Sequence, residues 1–451
     1  MEIGSEHDVR FTDLLANGQG VGRIDSQVVF VWGPLPDERA RIRIVEKKKS
    51  YAVGELLEII EPSPERANPF CPVFGTCGGC QVQHLSYRAQ LAWKSRLVRD
   101  ALERIGGFSG VEVAPTVGMD DPRAYRNKMA LVVERRDDRA AFGFYQMRSH
   151  AFVPIDGCPV VLPQLDAEIA ALWQAAEDPA LGKAFAQVKH VIARAGASTG
   201  ESVTAFTTNE LSPQIASAAA DLAKRIPGTK GISNSFSPAS ANAIQGRKQR
   251  SVWGESEMEE RIALPDGSHI RYRVSAASFF QINSMMVGRL FTQLAKLPQP
   301  RSVLDLYCGA GTFSIWFALR GATVTGIEEN PDAIREARAN ATLNGVGDKA
   351  QFLCGRVETL VGKAEGRKAL RSDVAFLDPP RKGSDVQTLD ALAAARVPAI
   401  WYLSCNPATL ARDLAHLRAA GYVLEETTPF DFFPQTGHVE TLARVRRQDA
   451  P

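Results

Sequence analysis

Val303-Leu304-Asp305-Leu306-Tyr307-Cys308-Gly309-Ala310-Gly311-Thr312 is an apolar strand running into a glycine turn and then into the start of a helix. Such a succession seats a nucleoside-bearing cofactor, because the backbone N–H groups of the turn and the N-terminus of the helix face the ligand. Short apolar runs at 323–328, 374–378 and 400–404 follow, separated by helical stretches. A helix opening at Pro331 and closing at Asn344-Gly345 makes one of the crossovers. The alternation predicts a parallel, doubly wound, Rossmann-like α/β sheet with its ligands at the C-terminal ends of the strands. Glu328 ends the second strand about 20 residues after the turn, where a carboxylate can accept both ribose hydroxyls. That spacing also fits a nicotinamide cofactor. The turn, however, lacks a third spaced glycine, and hydride transfer has no use for the cysteine described next.

Two further strand ends carry chemistry. In Leu377-Asp378-Pro379-Pro380-Arg381 the prolines stiffen a loop that aims the Asp378 carboxylate into the crevice. Amino-group methyltransferases usually end this loop with an aromatic residue. Arg381-Lys382-Gly383 stands there instead and suits a phosphate. In Ser404-Cys405-Asn406-Pro407 a cysteine follows the apolar run Ala399-Ile400-Trp401-Tyr402-Leu403. Carbon 5 of uracil is too weak a nucleophile to take a methyl group directly from a sulfonium. A thiolate adding at carbon 6 turns the ring into an enolate that can. A base must then remove the surplus proton from carbon 5 before the thiolate leaves. Cys405 supplies the thiolate, and within Asp431-Phe432-Phe433-Pro434-Gln435-Thr436-Gly437-His438-Val439-Glu440 the base is read as Glu440 in preference to His438.

At 451 residues, 45% of them hydrophobic, the chain exceeds what one core usually holds, so two or three domains are expected. A formal charge of +2 neither requires nor excludes nucleic acid. No apolar segment approaches the ~20 residues that span a bilayer, and the N-terminus lacks a basic start before an apolar stretch, so a cytoplasmic protein is expected. Before about Ile60, β-rich runs at 27–31, 41–45 and 52–56 sit among glycine and proline turns, as in a small closed barrel. The basic hairpin Glu46-Lys47-Lys48-Lys49, with Tyr51 beside it, suits a phosphate backbone and a stacked base. Between Pro62 and about Arg271 lies an α+β region with a helical stretch after His84 and a strand at 129–133.

Seven cysteines, unevenly clustered, speak for metal binding and catalysis over disulfides. Cys71-Pro72-Val73-Phe74-Gly75-Thr76-Cys77-Gly78-Gly79-Cys80 puts three thiols in one loop, and Cys158 follows at a distance. Four thiolates can hold zinc or an iron-sulfur cluster, and the three-plus-one spacing favours [4Fe-4S]. Cys354 reads as a core residue and Cys308 as packing in the cofactor turn.

Taken together, these residues resemble the S-adenosylmethionine-dependent RNA uracil-5-methyltransferases over nearly the whole chain. The N-terminal barrel is similar to a TRAM domain, an OB-like RNA-binding module. The run from Asn68 through Cys80 to His84 is similar to the iron-sulfur signature of the ribosomal branch, with Cys158 matching the fourth ligand. The resemblance implies Cys405 as nucleophile and Glu440 as proton acceptor. It places Gln281, Tyr307, Thr312, Glu328 and Asp378 around the methyl donor, together with the turn glycines Gly309 and Gly311, and it makes Phe279 a stacking partner for a flipped base. Ala276 stands where proline is usual, and Phe432 where methionine is commoner. The expected domains are 1–62 (TRAM-like barrel), 63–270 (α+β with the cluster) and 271–451 (methyltransferase). Barrel and cysteines together imply 23S rRNA as substrate; a monomeric enzyme is expected. The competing readings are the same chemistry on tRNA, cytosine-5 methylation of RNA, and a non-catalytic RNA-binding or redox-sensing protein.

Overall fold

Strict two-residue alternation builds the N-terminal unit. Ala40, Ile42 and Ile44 are wholly buried between exposed Arg41, Arg43 and Val45, so one face of the strand is apolar and the other charged. A computed structural model describes residues 2–136, 139–236, 244, 246 and 248–449. In it, strands β1 (Glu6–Leu14), β2 (Gln19–Ile24), β3 (Gln27–Trp32), β4 (Arg39–Lys47) and β5 (Tyr51–Glu61) close into a barrel of order β1-β2-β3-β5-β4. Its outer face carries exposed ion pairs such as Asp8 with Arg39 and Arg41, which add little stability. At the basic hairpin Tyr51 is half-buried, its ring 5.5 Å from that of Phe30.

Helix α1 (Tyr87–Arg104) leads into a mixed sheet of β6 (Lys128–Arg136), β7 (Arg139–Tyr145), β8 (Phe152–Pro154), β9 (His190–Ala195), β10 (Ser202–Thr208), β11 (Thr229–Phe236) and β12 (Lys248–Gly254). The order is β12-β11-β10-β9-β6-β7-β8, and helices α2 (Pro163–Glu177) and α3 (Pro213–Arg225) pack on it. A hairpin of β13 (Glu257–Ala263) and β14 (His269–Ser275) comes next. It spans the position expected for a domain boundary, residue 270, and its Met258, Ile262, Ile270, Tyr272 and Val274 lie in one core that takes in both C-terminal-sheet residues and Ile192, Val203 and Ala205 of β9 and β10.

That sheet consists of β15 (Ser302–Leu306), β16 (Thr323–Glu328), β17 (Ala350–Cys354), β18 (Val374–Leu377), β19 (Ala399–Ser404), β20 (Tyr422–Phe430) and β21 (Glu440–Arg447). Its order is β17-β16-β15-β18-β19-β21-β20, parallel except where β21 runs against β19 and β20. Helices α4 (Ser284–Leu294), α5 (Thr312–Leu319), α6 (Pro331–Leu343), α7 (Val357–Leu360), α8 (Ala364–Ala369), α9 (Val386–Ala394) and α10 (Pro407–Ala419) complete the unit. Strand order reverses between β15 and β18, so a crevice opens beyond their C-terminal ends. The reading of Cys354 as core is corrected: it ends the edge strand β17 and is exposed. Among the described residues no helix is long and apolar enough to cross a membrane.

Candidate active site

The crevice begins where β15 stops. Tyr307, Gly309 and Gly311 all take positive φ (65°, 54° and 83°), which folds the chain back on itself before Thr312 opens α5. At Gly311 a side chain would be strained by that φ and would press on Ala337 Cβ at 3.2 Å. Glu328 braces the turn from β16: its carboxylate accepts from Gly309 N–H (3.2 Å) and Asn330 N–H (2.8 Å), and it lines the cavity. The Tyr272 hydroxyl donates to Thr312 C=O at 2.9 Å, and the Tyr307 hydroxyl lies 3.2 Å from Ser384 Oγ. Gln281 Nε2 donates to Asp378 Oδ2 at 3.2 Å.

One cavity of about 1220 Å³ joins Gln281, Tyr307, Gly309, Thr312, Glu328 and Asp378 to Cys405 and Glu440. Gly311 does not line this cavity; it packs against Ala337 and Phe352. Phe279, 76% exposed, stands on its rim, as do Arg381 and His438.

Electrostatics set the resting state. Asp378, walled by protein but open to the cavity, has its pKa pushed up to about 7, first by burial and then by Asp305. Glu440 is 4% exposed, and its Oε2 has no partner among the described residues. Burial, with Asp378 adding to it and Arg381 opposing, holds its carboxyl well above the carboxylate range. Cys405, half-buried, is pushed up to about 11 by burial, then by Glu440 and Asp378, again against Arg381. Burial, then Arg381, lowers His438 to about 4, so its imidazole is neutral at physiological pH, with Nε2 3.1 Å from Arg381 Nη2. A site of three acids disfavouring one another's charge is suited to a cation.

Asp305 was not among the residues singled out from sequence. It is wholly buried in β15, accepts from Ser314 Oγ at 2.5 Å, and leaves Oδ1 unpartnered among the described residues. Burial raises its pKa to about 7. The available signal was an acid inside an otherwise apolar strand.

A second cavity, about 400 Å³, is lined by Cys71, Cys77, Cys80 and Cys158. All four are free thiols. The three-cysteine loop is tied by Gly78 N–H donating to Tyr145 C=O at 3.0 Å, and Cys158 by its N–H donating to the Asp166 carboxylate at 2.6 Å. Burial pushes Cys80 up to about 12 and Cys158 to about 11. Among the described residues no three His, Cys, Asp or Glu side chains are placed to share a single ion.

A family model described as tRNA (Uracil-5-)-methyltransferase matches residues 86–447, and a TRAM domain model matches residues 1–57. An uncharacterized RNA methyltransferase of Halalkalibacterium halodurans is 38% identical over 97% of this chain and 96% of its own length. Another, of Thermosynechococcus vestitus, is 37% identical over 98% of each. The crystal structure of Pyrococcus abyssi tRNA (uracil-54, C5)-methyltransferase in complex with S-adenosyl-L-homocysteine superposes with a TM-score of 0.77 at 27% identity. It covers 97% of this chain and 100% of the other.

Proposed function

This chain belongs to the tRNA (uracil-5-)-methyltransferase family, and from that premise we propose that it methylates carbon 5 of a specific uridine in 23S rRNA through a transient Cys405–uracil bond. It is an S-adenosylmethionine-dependent RNA uracil-5-methyltransferase with an N-terminal TRAM domain. The observation that carries the finer reading is the single cavity in which Cys405 and Glu440 face the same space as the glycine turn, Glu328 and Asp378.

The donor supplies a methyl group on a sulfonium cation. Glu328 holds the ribose hydroxyls, while Gln281, Tyr307, Gly309, Gly311, Thr312 and Asp378 complete the donor site. The cation favours the charged forms of Asp378, Glu440 and Cys405, all of whose pKa values are raised by burial in its absence. Phe279 stacks on the flipped base. The Cys405 thiolate adds to carbon 6 and the electron pair moves onto carbon 5, which takes the methyl group as the donor's S–CH3 bond breaks and its electron pair stays on sulfur, leaving a neutral thioether. Glu440 then removes the carbon-5 proton, the C5=C6 bond reforms, and the C6–S bond breaks to return the thiolate.

Asp378 gives a test of the electrostatics. Its pKa rises from 3.8 to about 7 on folding, so the folded state keeps a proton that the unfolded chain releases. Stability of the free protein therefore falls as pH rises from about 4 to about 7, and the full cost is present above 7. Asp378→Asn is expected to raise Tm at pH 8, with the gain disappearing towards pH 4, while calorimetry finds donor binding lost. A lower Tm with donor binding intact contradicts both roles.

The four thiols are proposed to hold a [4Fe-4S] cluster. The three-plus-one spacing of the cysteines that line this one cavity supports a cubane over zinc. Anaerobically purified protein is expected to be brown, with roughly four irons per chain; stoichiometric zinc and no iron contradicts the assignment. The proposal also takes the domains as 1–62, 63–270 and 271–451 and the enzyme as a cytoplasmic monomer. The resemblance of barrel and cysteines to the ribosomal branch supports 23S rRNA. A tRNA substrate is the second reading, favoured by the match to the Pyrococcus enzyme. Mapping 5-methyluridine in ribosomal and transfer RNA, from cells with and without the gene, decides it: loss from 23S rRNA supports the proposal, and loss from tRNA alone overturns it.

A further inference from the structure

Residues 431–439 join β20 to β21 and deliver Glu440, the first residue of β21. The loop is held along its length by elements outside its own sheet. Lys94 of α1, wholly buried, places Nζ 2.5 Å from Asp431 Oδ1 and 3.1 Å from Phe433 C=O. The Tyr125 hydroxyl donates to Pro434 C=O at 3.0 Å. A side chain at Gly437 would run into the Ala16 carbonyl, so a turn of the barrel abuts the loop as well.

Gln435 is the most tightly bound point. It has a left-handed φ of 70° although it is not glycine, and it is 3% exposed. Gln90 of α1, itself 1% exposed, makes a reciprocal pair with it. Gln90 Nε2 donates to Gln435 Oε1 at 2.9 Å, and Gln90 Oε1 accepts from Gln435 N–H at 3.1 Å. The Gln435 carbonyl accepts from Gln81 N–H (2.9 Å) and Val82 N–H (3.1 Å), the residues immediately after Cys80. Its own Nε2 makes only a long contact, 3.5 Å, to Pro122 C=O. A non-glycine residue in this conformation costs of order 1 kcal/mol or more and persists where the surroundings over-determine it. Glycine would remove the strain but also the amide that Gln90 grips.

We propose that Gln435, clamped by Gln90 and by the outlet of the cysteine loop, is a positioning residue that aims Glu440 at the carbon-5 proton. This rests on the reading of Glu440 as the base. The clamp touches neither substrate nor Cys405, which comes from a different strand end, so its effect falls on one step. With the clamp loosened, thiolate addition and methyl transfer proceed, but proton removal slows and the methylated Cys405–RNA adduct accumulates. A role in mere folding would lower adduct and turnover together. The cysteine loop thus reaches the catalytic loop through backbone bonds.

The experiment uses full-length enzyme as purified with its metal, S-adenosylmethionine, and total RNA extracted from cells lacking the gene. Gln90→Met deletes both bonds to Gln435, together with those from Nε2 to the Val82 and Leu85 carbonyls, and Gln435→Gly deletes only the side-chain amide while relieving the strain, so the two variants must agree. For each, turnover is expected to fall about 10- to 100-fold, with donor affinity within about twofold of wild type and denaturant-stable RNA–protein complex raised severalfold. Turnover and complex falling in parallel in both variants, or turnover unchanged, overturns the proposal. Glu440→Gln run beside them separates the two claims. If it accumulates complex and the clamp variants do not, the clamp alone fails; if it accumulates none, the base assignment fails and the clamp with it.

Discussion

Cys405→Ala is expected to lower 5-methyluridine formation by at least about four orders of magnitude, because removing the thiol removes the route by which carbon 5 becomes nucleophilic. The other thiol at the cavity, Cys308, cannot substitute. It is 5% exposed within the donor turn, and burial beside Asp305 and Glu328 holds it firmly protonated. Donor affinity should be retained, since Cys405 follows β19 whereas the glycine turn follows β15. Nucleoside mass spectrometry of treated RNA reads the effect, and product at the wild-type rate would remove the mechanism. Methylcytidine as the wild-type product would transfer the same adduct chemistry to cytosine.

Glu440→Gln separates the two halves of the reaction. Turnover should drop about 10²- to 10⁴-fold, the range for loss of a general base, while the covalent complex with natural RNA becomes abundant. The sign follows from the charges: once the donor's cation favours ionised Glu440, its carboxylate raises the Cys405 pKa, so a neutral amide favours the thiolate and adduct formation does not slow. Denaturing gels of enzyme with RNA and S-adenosylmethionine show the complex directly. Undiminished turnover, or lost turnover without a complex, would contradict the assignment.

Much of this was legible because two periods are plain in the chain. Residues 40–44 alternate strictly, and the apolar runs at 303–307, 323–328, 374–378 and 400–404 each end at a residue or turn of the candidate site. The central sheet was less readable for a physical reason. In β9 and β10 nearly every side chain is buried, including Arg194, Ser202, Thr204, Thr207 and Thr208, so no alternation marks a face. Cys354 reads as core because an apolar run does not reveal that its strand lies at the sheet edge. Lys94 and Asp431, a wholly buried pair 337 residues apart, each resemble solvated surface when read alone. The same holds for Gln90 and Gln435, whose meaning exists only once helix, cysteine loop and catalytic loop are brought together.

The most direct test is to incubate wild-type enzyme and S-adenosylmethionine with target RNA in which uridine is replaced by 5-fluorouridine, then digest and sequence the modified peptide. With fluorine in place of the carbon-5 proton, Glu440 has nothing to abstract, and the adduct cannot resolve. A methylated fluorouridine nucleotide linked through residue 405 is the expected result. Complete methyl transfer to unsubstituted RNA, with no linkage at residue 405 in the fluorinated RNA, would contradict covalent catalysis.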